Sequence, residues 1–102
     1  MNLFDEKLYG QTVTQVVFVH NYLQIVFAGE MTLTINNNYA FVGGQPNEFI
    51  DTRVLGTFTT DTEFKVRFSD GLELSVGIAD QDYVGPEAMV LQAKDSDIIV
   101  WQ

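Results

Sequence analysis

The chain reads Y-L-Q-I-V-F-A-G-E-M-T-L-T-I from Tyr22 to Ile35, and E-F-K-V-R-F-S-D-G-L-E-L-S-V from Glu63 to Val76. The two stretches align without a gap, and we call the constant separation that takes Tyr22 to Glu63 the repeat offset. The aligned apolar pairs are Leu23 and Phe64, Ile25 and Val66, Phe27 and Phe68, Met31 and Leu72, Leu33 and Leu74, and Ile35 and Val76. Because an internal repeat constrains the whole architecture, we predict a duplicated unit with copies at about residues 10–50 and 51–91.

Each copy of the repeat has the apolar pattern of a β-hairpin. Phe64, Val66 and Phe68 alternate with Lys65 and Arg67, and this period of two is typical of a strand with one buried face. The strand that follows each of these alternates in the same way. We therefore predict two antiparallel hairpins, each with one face towards the core.

The register of the second hairpin predicts its turn. Opposed residues of an antiparallel pair share a face, so Phe68 must oppose Leu72, which leaves three loop residues and places Gly71 at the left-handed position of a type I turn with a bulge. In the first copy the loop is Ala28-Gly29-Glu30, and its glycine comes one place early. Either that turn is of another type or Glu30 has a positive φ.

The repeat extends beyond the hairpins. Each copy has an earlier strand, around Val13 to Val17 in the first and Val54 to Phe58 in the second. After the hairpins, Phe41-Val42-Gly43 resembles Tyr83-Val84-Gly85 at a separation one position longer than the repeat offset. Each copy is therefore predicted to be a meander of three or more strands.

The pattern as a whole predicts a single all-β domain over residues 1–102. Residues 88–93 and 98–101 flank Lys94-Asp95-Ser96-Asp97 and predict a final hairpin. Phe4 to Tyr9 is the best helical segment, and we expect it to form a short turn at most, because Gly10 follows. The predicted fold is a small antiparallel sandwich or partly open barrel of two β-meander units with pseudo-twofold symmetry.

Composition excludes several classes of function. The 102 residues include no cysteine, which excludes disulfides, thiolate nucleophiles and cysteine-based metal sites. The formal net charge of −9 disfavours nucleic acid and anionic membranes as partners. It is compatible with a basic protein surface as partner, although an acidic surface is also a common route to solubility. The N-terminal residues lack the basic head and apolar run of a secretion signal, so we expect a cytoplasmic protein.

The sequence offers little catalytic machinery, and we expect no enzyme activity, no cofactor and no metal. The one histidine, His20, has no acidic neighbour that could orient it as a general base. Two D-x-D pairs lack the glycine and glutamate that complete a calcium loop. If a cation were bound, it would be calcium or magnesium, with these pairs as its ligands. The pairs are Asp80 with Asp82 and Asp95 with Asp97.

The C-terminal segment Ile98-Ile99-Val100-Trp101 is apolar in both phases of a strand. Such a strand is buried on both sides, or one of its faces is covered by another chain. This segment therefore either closes the barrel or forms a homodimer contact.

The hairpin F-x-V-x-F-S-D-G-L-x-L-x-V and the downstream Y-V-G-P-E-A resemble segments of small bacterial all-β domains of unknown function. Some of those domains resemble immunity proteins that neutralise a cognate toxin. The resemblance covers about a third of the chain and brings no active site with it.

Together these features predict a non-catalytic, acidic protein-binding module, of the immunity type, that inhibits a basic partner. The predicted contact residues are Asp80, Asp82, Glu87, Asp95, Asp97 and Trp101. The alternatives are a small-ligand-binding barrel, with aromatic residues such as Phe41 and Tyr83 around its pocket, and a structural or oligomerising domain.

Overall fold

A computed structural model of the chain describes residues 3–93 and 98–102. This part of the chain contains one helix, nine strands and three short 3-10 helices. The helix α1 is Leu3–Leu8, and the strands are β1 (Val13–Val19), β2 (Tyr22–Phe27), β3 (Met31–Ile35), β4 (Tyr39–Val42), β5 (Val54–Thr59), β6 (Glu63–Phe68), β7 (Glu73–Gly77), β8 (Met89–Gln92) and β9 (Ile98–Trp101). The 3-10 helices are Pro46–Phe49, Ser69–Gly71 and Asp80–Asp82.

The strands form two antiparallel sheets. One has five strands in the order β1-β2-β3-β8-β9, and the other has four in the order β4-β7-β6-β5. Their apolar faces meet in one core, as in other two-layer β-folds. The predicted all-β fold is thus confirmed as a sandwich, and of the two predicted forms the partly open barrel is not the one observed.

The two halves of the chain pair their strands in the same way. Val13 lies opposite Phe27 in the first sheet, and Val54 lies opposite Phe68 in the second. Most of the remaining β1–β2 and β2–β3 pairs correspond, through the repeat offset, to β5–β6 and β6–β7 pairs. Even the register irregularity after Val13 recurs after Val54. The descent of both halves from one duplicated unit stays a prediction.

Reciprocal hydrogen bonds join the halves at one end of the sandwich. Gly10 N donates to Val54 O at 2.9 Å, and Asp51 N donates to Val13 O at 2.8 Å. Between these two bonds, Thr12 and Arg53 form an isolated antiparallel bridge. Since the repeat offset also separates Thr12 from Arg53, this bridge pairs one position with its own counterpart.

The fourth strand of each half crosses to the opposite sheet. Strand β4 pairs with β7, and β8 pairs with β3. Tyr39 opposes Val76 in one sheet just as Met89 opposes Ile35 in the other, and the repeat offset relates Ile35 to Val76. The counterpart of β4 is therefore β8, and the predicted match to Tyr83-Val84-Gly85 is wrong: those residues lie in a loop. The connection before β8 is longer than the one before β4, so the equivalent strand lies further along the chain than the local resemblance indicated.

Helix α1 is longer than the sequence predicted. Phe4 and Leu8 lie one turn apart on the same helix face and are 3% and 0% exposed. Burial of both side chains stabilises a helix that its local sequence would not. Phe49, at the end of the 3-10 helix that precedes β5, is also buried, and the repeat offset relates it to Leu8.

The hairpin turns confirm the predicted register and correct one conformation. Phe68 N donates to Leu72 O at 2.8 Å, and Gly71 has a φ of 74°. Asp70 also has a positive φ, 66°, so the loop is not the predicted type I turn. Aspartate tolerates this region better than most residues. In the first hairpin Glu30 has a φ of 58°, which answers the question its sequence left open.

We expect Gly71→Ala to lower the free energy of unfolding by about 1 kcal/mol, because a Cβ is disfavoured at this left-handed φ. The space around the added methyl group is open, so the effect isolates backbone strain. Urea denaturation measures the change. Gly85→Ala is the control, because its Cβ also meets open space and its φ is not positive. An equal loss in both variants would contradict the assignment.

The C-terminal hairpin forms as predicted, with β8 and β9 antiparallel. Its connecting residues Lys94-Asp95-Ser96-Asp97 lie outside the described residues. Strand β9 is an edge of the five-stranded sheet and does not close a barrel. Ile99 and Trp101 pack against the core, while Ile98 and Val100 are exposed on the outer face at 59% and 38%. One phase of this apolar strand therefore remains uncovered.

Candidate functional site

The two connections that carry chain between the sheets meet at one end of the sandwich, which we call the crossover end. Residues 36–38 lead from β3 to β4, and residues 78–88 lead from β7 to β8. Asn36 N donates to Ala88 O and Gly77 N donates to Asn38 O, both at 2.9 Å. This reciprocal pair fixes the two crossing segments against each other.

The three asparagines of the first connection add side-chain bonds to the second. Asn37 Nδ2 donates to Gly77 O at 2.8 Å, and Asn38 Nδ2 donates to Asp82 Oδ1 at 3.2 Å. Asn36 Nδ2 donates to the backbone oxygen of Glu87, in the second connection, at 3.4 Å. Carboxamides suit this position because each can satisfy backbone groups that no strand neighbour pairs.

Asn37 has a polar atom without a partner. Its side chain is buried, with 2% of the residue exposed, and its Oδ1 accepts no hydrogen bond from the described residues. The donation from Nδ2 to Gly77 O fixes which end of the amide is the oxygen. An unpaired buried acceptor costs about 1–3 kcal/mol, so such an atom calls for an explanation.

Asn37 lines an open cleft of about 510 Å³ at the crossover end, which we call the polar cleft. This volume falls within the range of small-molecule sites. The side chains that line the polar cleft are amides, aromatic rings, an imidazole and valines, and none is Asp, Glu, Lys or Arg. They belong to Val19, His20, Asn21, Tyr22, Asn36, Asn37, Asn38, Tyr39 and Val84.

Two smaller clefts flank the polar cleft and bring acidic residues to its sides. One, of about 290 Å³, shares Asn38 and Tyr39 with it and includes Asp82. The other, of about 190 Å³, shares Tyr22 and includes Glu87. Because the first of these clefts also includes Glu63, three acidic residues line the clefts beside the uncharged one.

The predicted contact residues divide into three groups. Asp80 and Asp82 lie in a 3-10 helix of the second connection, where Asp82 accepts hydrogen bonds from Asn38 and from Ala79 N, and Glu87 lies further along the same connection. Asp95 and Asp97 lie outside the described residues. The structure thus places three of the six predicted residues on one connection at the crossover end.

Trp101 lies on the edge strand β9, where its backbone oxygen accepts a hydrogen bond from Ala88 N of the second connection at 2.7 Å. Its ring is half-buried and packs against Phe4 at 5.5 Å and Phe64 at 5.1 Å between ring centroids. None of the three clefts at the crossover end is lined by Trp101. Its ring therefore packs against the core beneath β9, at the edge of the five-stranded sheet opposite β1.

An aromatic ridge adjoins the polar cleft. Tyr39 packs edge-to-face on Phe41 at 5.9 Å, and Phe41 packs in the same way on Phe18 at 6.2 Å. The side chain of Phe18 is 59% exposed, although it lies on the inward face of β1, opposite the buried Leu23. Both β1 and β4 are edge strands, so these rings cover the open side of the sandwich only in part.

Sequence reasoning missed the polar cleft. It placed Phe41 and Tyr83 around the pocket of an alternative ligand-binding barrel, and it gave His20 no role because no acidic residue neighbours it. The run Asn36–Asn38 was the available signal, since three consecutive carboxamides between two strands exceed what a short turn requires. Their contact with residues 77–88 depends on the crossing of β4 and β8, which no local pattern indicated.

The described residues hold no cluster of three or more His, Cys, Asp or Glu side chains that could bind a metal ion. Within residues 3–93 and 98–102, no helix has the length and apolar character needed to cross a membrane. No protein family matches the chain, and neither a curated protein nor a solved structure matches it.

Proposed function

We propose that the chain is a non-catalytic binding module that recognises a basic protein partner at the crossover end. The observation that carries the proposal is an uncharged cleft lined by amides and aromatic rings, beside two smaller clefts that include Glu63, Asp82 and Glu87. A side chain that donates hydrogen bonds to amide oxygens and carries a positive charge would suit both the lining of the cleft and its acidic neighbours. Arginine fits best, because its guanidinium donates in several directions at once.

The lining of the polar cleft supports a cationic side chain of this shape. The rings of Tyr22 and Tyr39 offer aromatic faces, on which a guanidinium is stabilised by about 0.5–1 kcal/mol at exposed sites. The aromatic ridge of Phe18, Phe41 and Tyr39 extends the contact area beyond the cleft. Aromatic residues and arginine are the groups that contribute most energy in protein interfaces.

The charge of the chain supports the same kind of partner. A net charge of −9 attracts a basic surface from a distance, and acidic residues beside the cleft orient it on approach. Complementary charge raises the association rate more than the affinity, and salt screens it. The second hairpin and the downstream Y-V-G-P-E-A resemble small bacterial all-β domains of unknown function, some of which resemble immunity proteins, and this resemblance supports inhibition of a basic toxin.

The acetylated, amidated tripeptide Gly-Arg-Gly tests the proposal in a nitrogen-15 NMR titration. We expect saturable shifts at the amides of residues 36–39 and 84. The same peptide with citrulline, which lacks the charge, should cause much smaller shifts. Asp82→Asn with Glu87→Gln should weaken arginine-peptide binding roughly 3- to 10-fold at low salt, since each exposed charge contributes a few tenths of a kcal/mol or more.

Asp70→Asn is the matched control, because Asp70 lies in the turn at the other end of β7 from Gly77. Glu87→Gln alone leaves the two hydrogen bonds of Asp82 in place and separates charge from loop geometry. Equal binding by the arginine and citrulline peptides would refute a cationic ligand. Shifts with methyl glucoside but with neither peptide would instead identify a small uncharged ligand, the alternative that the cleft volume allows.

A further inference from the structure

The outer face of the five-stranded sheet has an unusual composition for so acidic a chain. Its outward side chains form two continuous rows across all five strands, and no described member is charged. The first row is Val17, Gln24, Thr34, Val90 and Val100, and the second is Gln15, Val26, Thr32, Gln92 and Ile98. We call this surface the neutral face.

The other sheet provides a matched comparison. Through the repeat offset, Gln24 corresponds to Lys65, Val26 to Arg67 and Thr32 to Glu73. On that sheet the charges pair across strands, with Arg67 Nε 3.6 Å from Glu73 Oε1 and Lys65 Nζ 4.0 Å from Glu73 Oε2. The same backbone positions thus carry ion pairs on one outer face and uncharged residues on the other.

We infer that the neutral face binds the same face of a second copy, so that the protein is a twofold-symmetric dimer. Two chains of net charge −9 repel each other over most orientations. The neutral face lets them approach without burying a described charge. A basic partner would find no carboxylate on the described part of this face, and a membrane interface would favour basic residues that the face lacks.

The residue types suit face-to-face packing. Valine, threonine and isoleucine present the short branched side chains with which two sheets pack about 10 Å apart. Gln24 Nε2 already donates to Thr34 Oγ1 at 3.3 Å, so part of the polar surface is satisfied before the second copy binds. In a twofold contact every residue pair occurs twice, once in each direction, so a surface of one uniform, uncharged composition is self-complementary.

The area is sufficient for a reversible dimer. Five strands spaced about 4.8 Å apart give a width of about 24 Å, and four to six residues give a length of roughly 13–20 Å. The flat area of the face is then about 400 Å² in each copy. Because side chains make the surface uneven, the accessible area that each copy would bury is larger, roughly 500–600 Å². The total reaches the ~1,000 Å² expected of a specific interface and falls at the weaker end of that range.

Sedimentation velocity between about 1 and 200 µM tests this inference. The wild-type chain should shift from monomer to dimer across the range. Val26→Arg with Thr32→Glu should remain monomeric, with dimerisation at least 100-fold weaker, because two copies would have to bury charges. These two positions oppose each other in β2 and β3, so the variant recreates the Arg67–Glu73 pair that the other sheet accommodates.

Ala40→Lys is the control, since Ala40 lies on the outer face of the four-stranded sheet opposite Ser75. It should dimerise like the wild type, and a circular dichroism melt should show that all variants are folded. A wild-type chain that stays monomeric at the highest concentration overturns the inference and leaves the face to a different protein. A Val26→Arg/Thr32→Glu dimer as strong as the wild type also overturns it and favours pairing at the β9 edge. Equal weakening by Ala40→Lys overturns it as well.

Discussion

Replacement of Phe64 by alanine should lower the free energy of unfolding by about 3–5 kcal/mol, the range found for buried phenylalanines. Phe64 is 0% exposed and packs edge-on against Phe4 and at a tilt against Trp101, with ring centroids 5.7 and 5.1 Å away. Its removal leaves a cavity beneath α1, β6 and β9 together. Since a domain of this size is stable by only about 5–15 kcal/mol, this variant should lie near the limit of folding.

Urea denaturation followed by circular dichroism measures the loss, and Trp101 fluorescence reports the local change. We expect a red shift of Trp101 emission in the folded variant, because the indole loses a packing partner. Phe58→Ala is the control: Phe58 is 50% exposed and contacts Arg67 through a cation–π interaction at 5.6 Å. It should cost no more than about 1 kcal/mol. A Phe64 variant as stable as the Phe58 variant would contradict this core.

Division of the chain between Ile50 and Asp51 should unfold both halves, although each contains a complete three-stranded meander. In fragment 1–50, β3 has lost its neighbour β8 and β4 has lost its neighbour β7. The inward face of each meander would also be exposed to water, since it is buried only against the other sheet. Circular dichroism of either fragment alone should therefore show little β-structure.

An equimolar mixture of fragments 1–50 and 51–102 should regain the β-sheet spectrum, because both crossed strand pairs and the Thr12–Arg53 bridge reform. Fragment 1–93 is the control. It lacks only the edge strand β9 of the described strands, and we expect it to fold with reduced stability. A cooperative thermal transition in fragment 1–50 by itself would show that β4 does not need the other half.

Local sequence determined the strands and their registers. The alternation in Phe64, Val66 and Phe68 predicts a strand, and the spacing to Leu72 predicts which residues oppose each other. These features involve neighbours in the chain, so the pattern of side chains contains the information that is needed. The left-handed Gly71 follows for the same reason, because the loop length between two paired residues restricts its backbone.

The conformation of Asp70 and the helix at Phe4 to Leu8 did not follow from local rules. Both depend on small free-energy differences that the surrounding structure supplies: tolerance of a left-handed aspartate in one case, and burial of two side chains in the other. The acidic residues Asp82 and Glu87 were predicted as contact residues from charge alone. Their position beside the polar cleft comes from the fold.

The sequence by itself thus determined an all-β fold, the matching apolar patterns of its two hairpins and its strong negative charge. Only the tertiary structure decided that β4 and β8 cross between sheets, that Asn37 is buried with an unpaired oxygen, and that one outer face is neutral. The physical reason is the distance along the chain between the residues that interact. Strand alternation is set over a few residues, whereas the crossover end joins segments from the two halves of the chain, whose contact depends on how the whole chain packs.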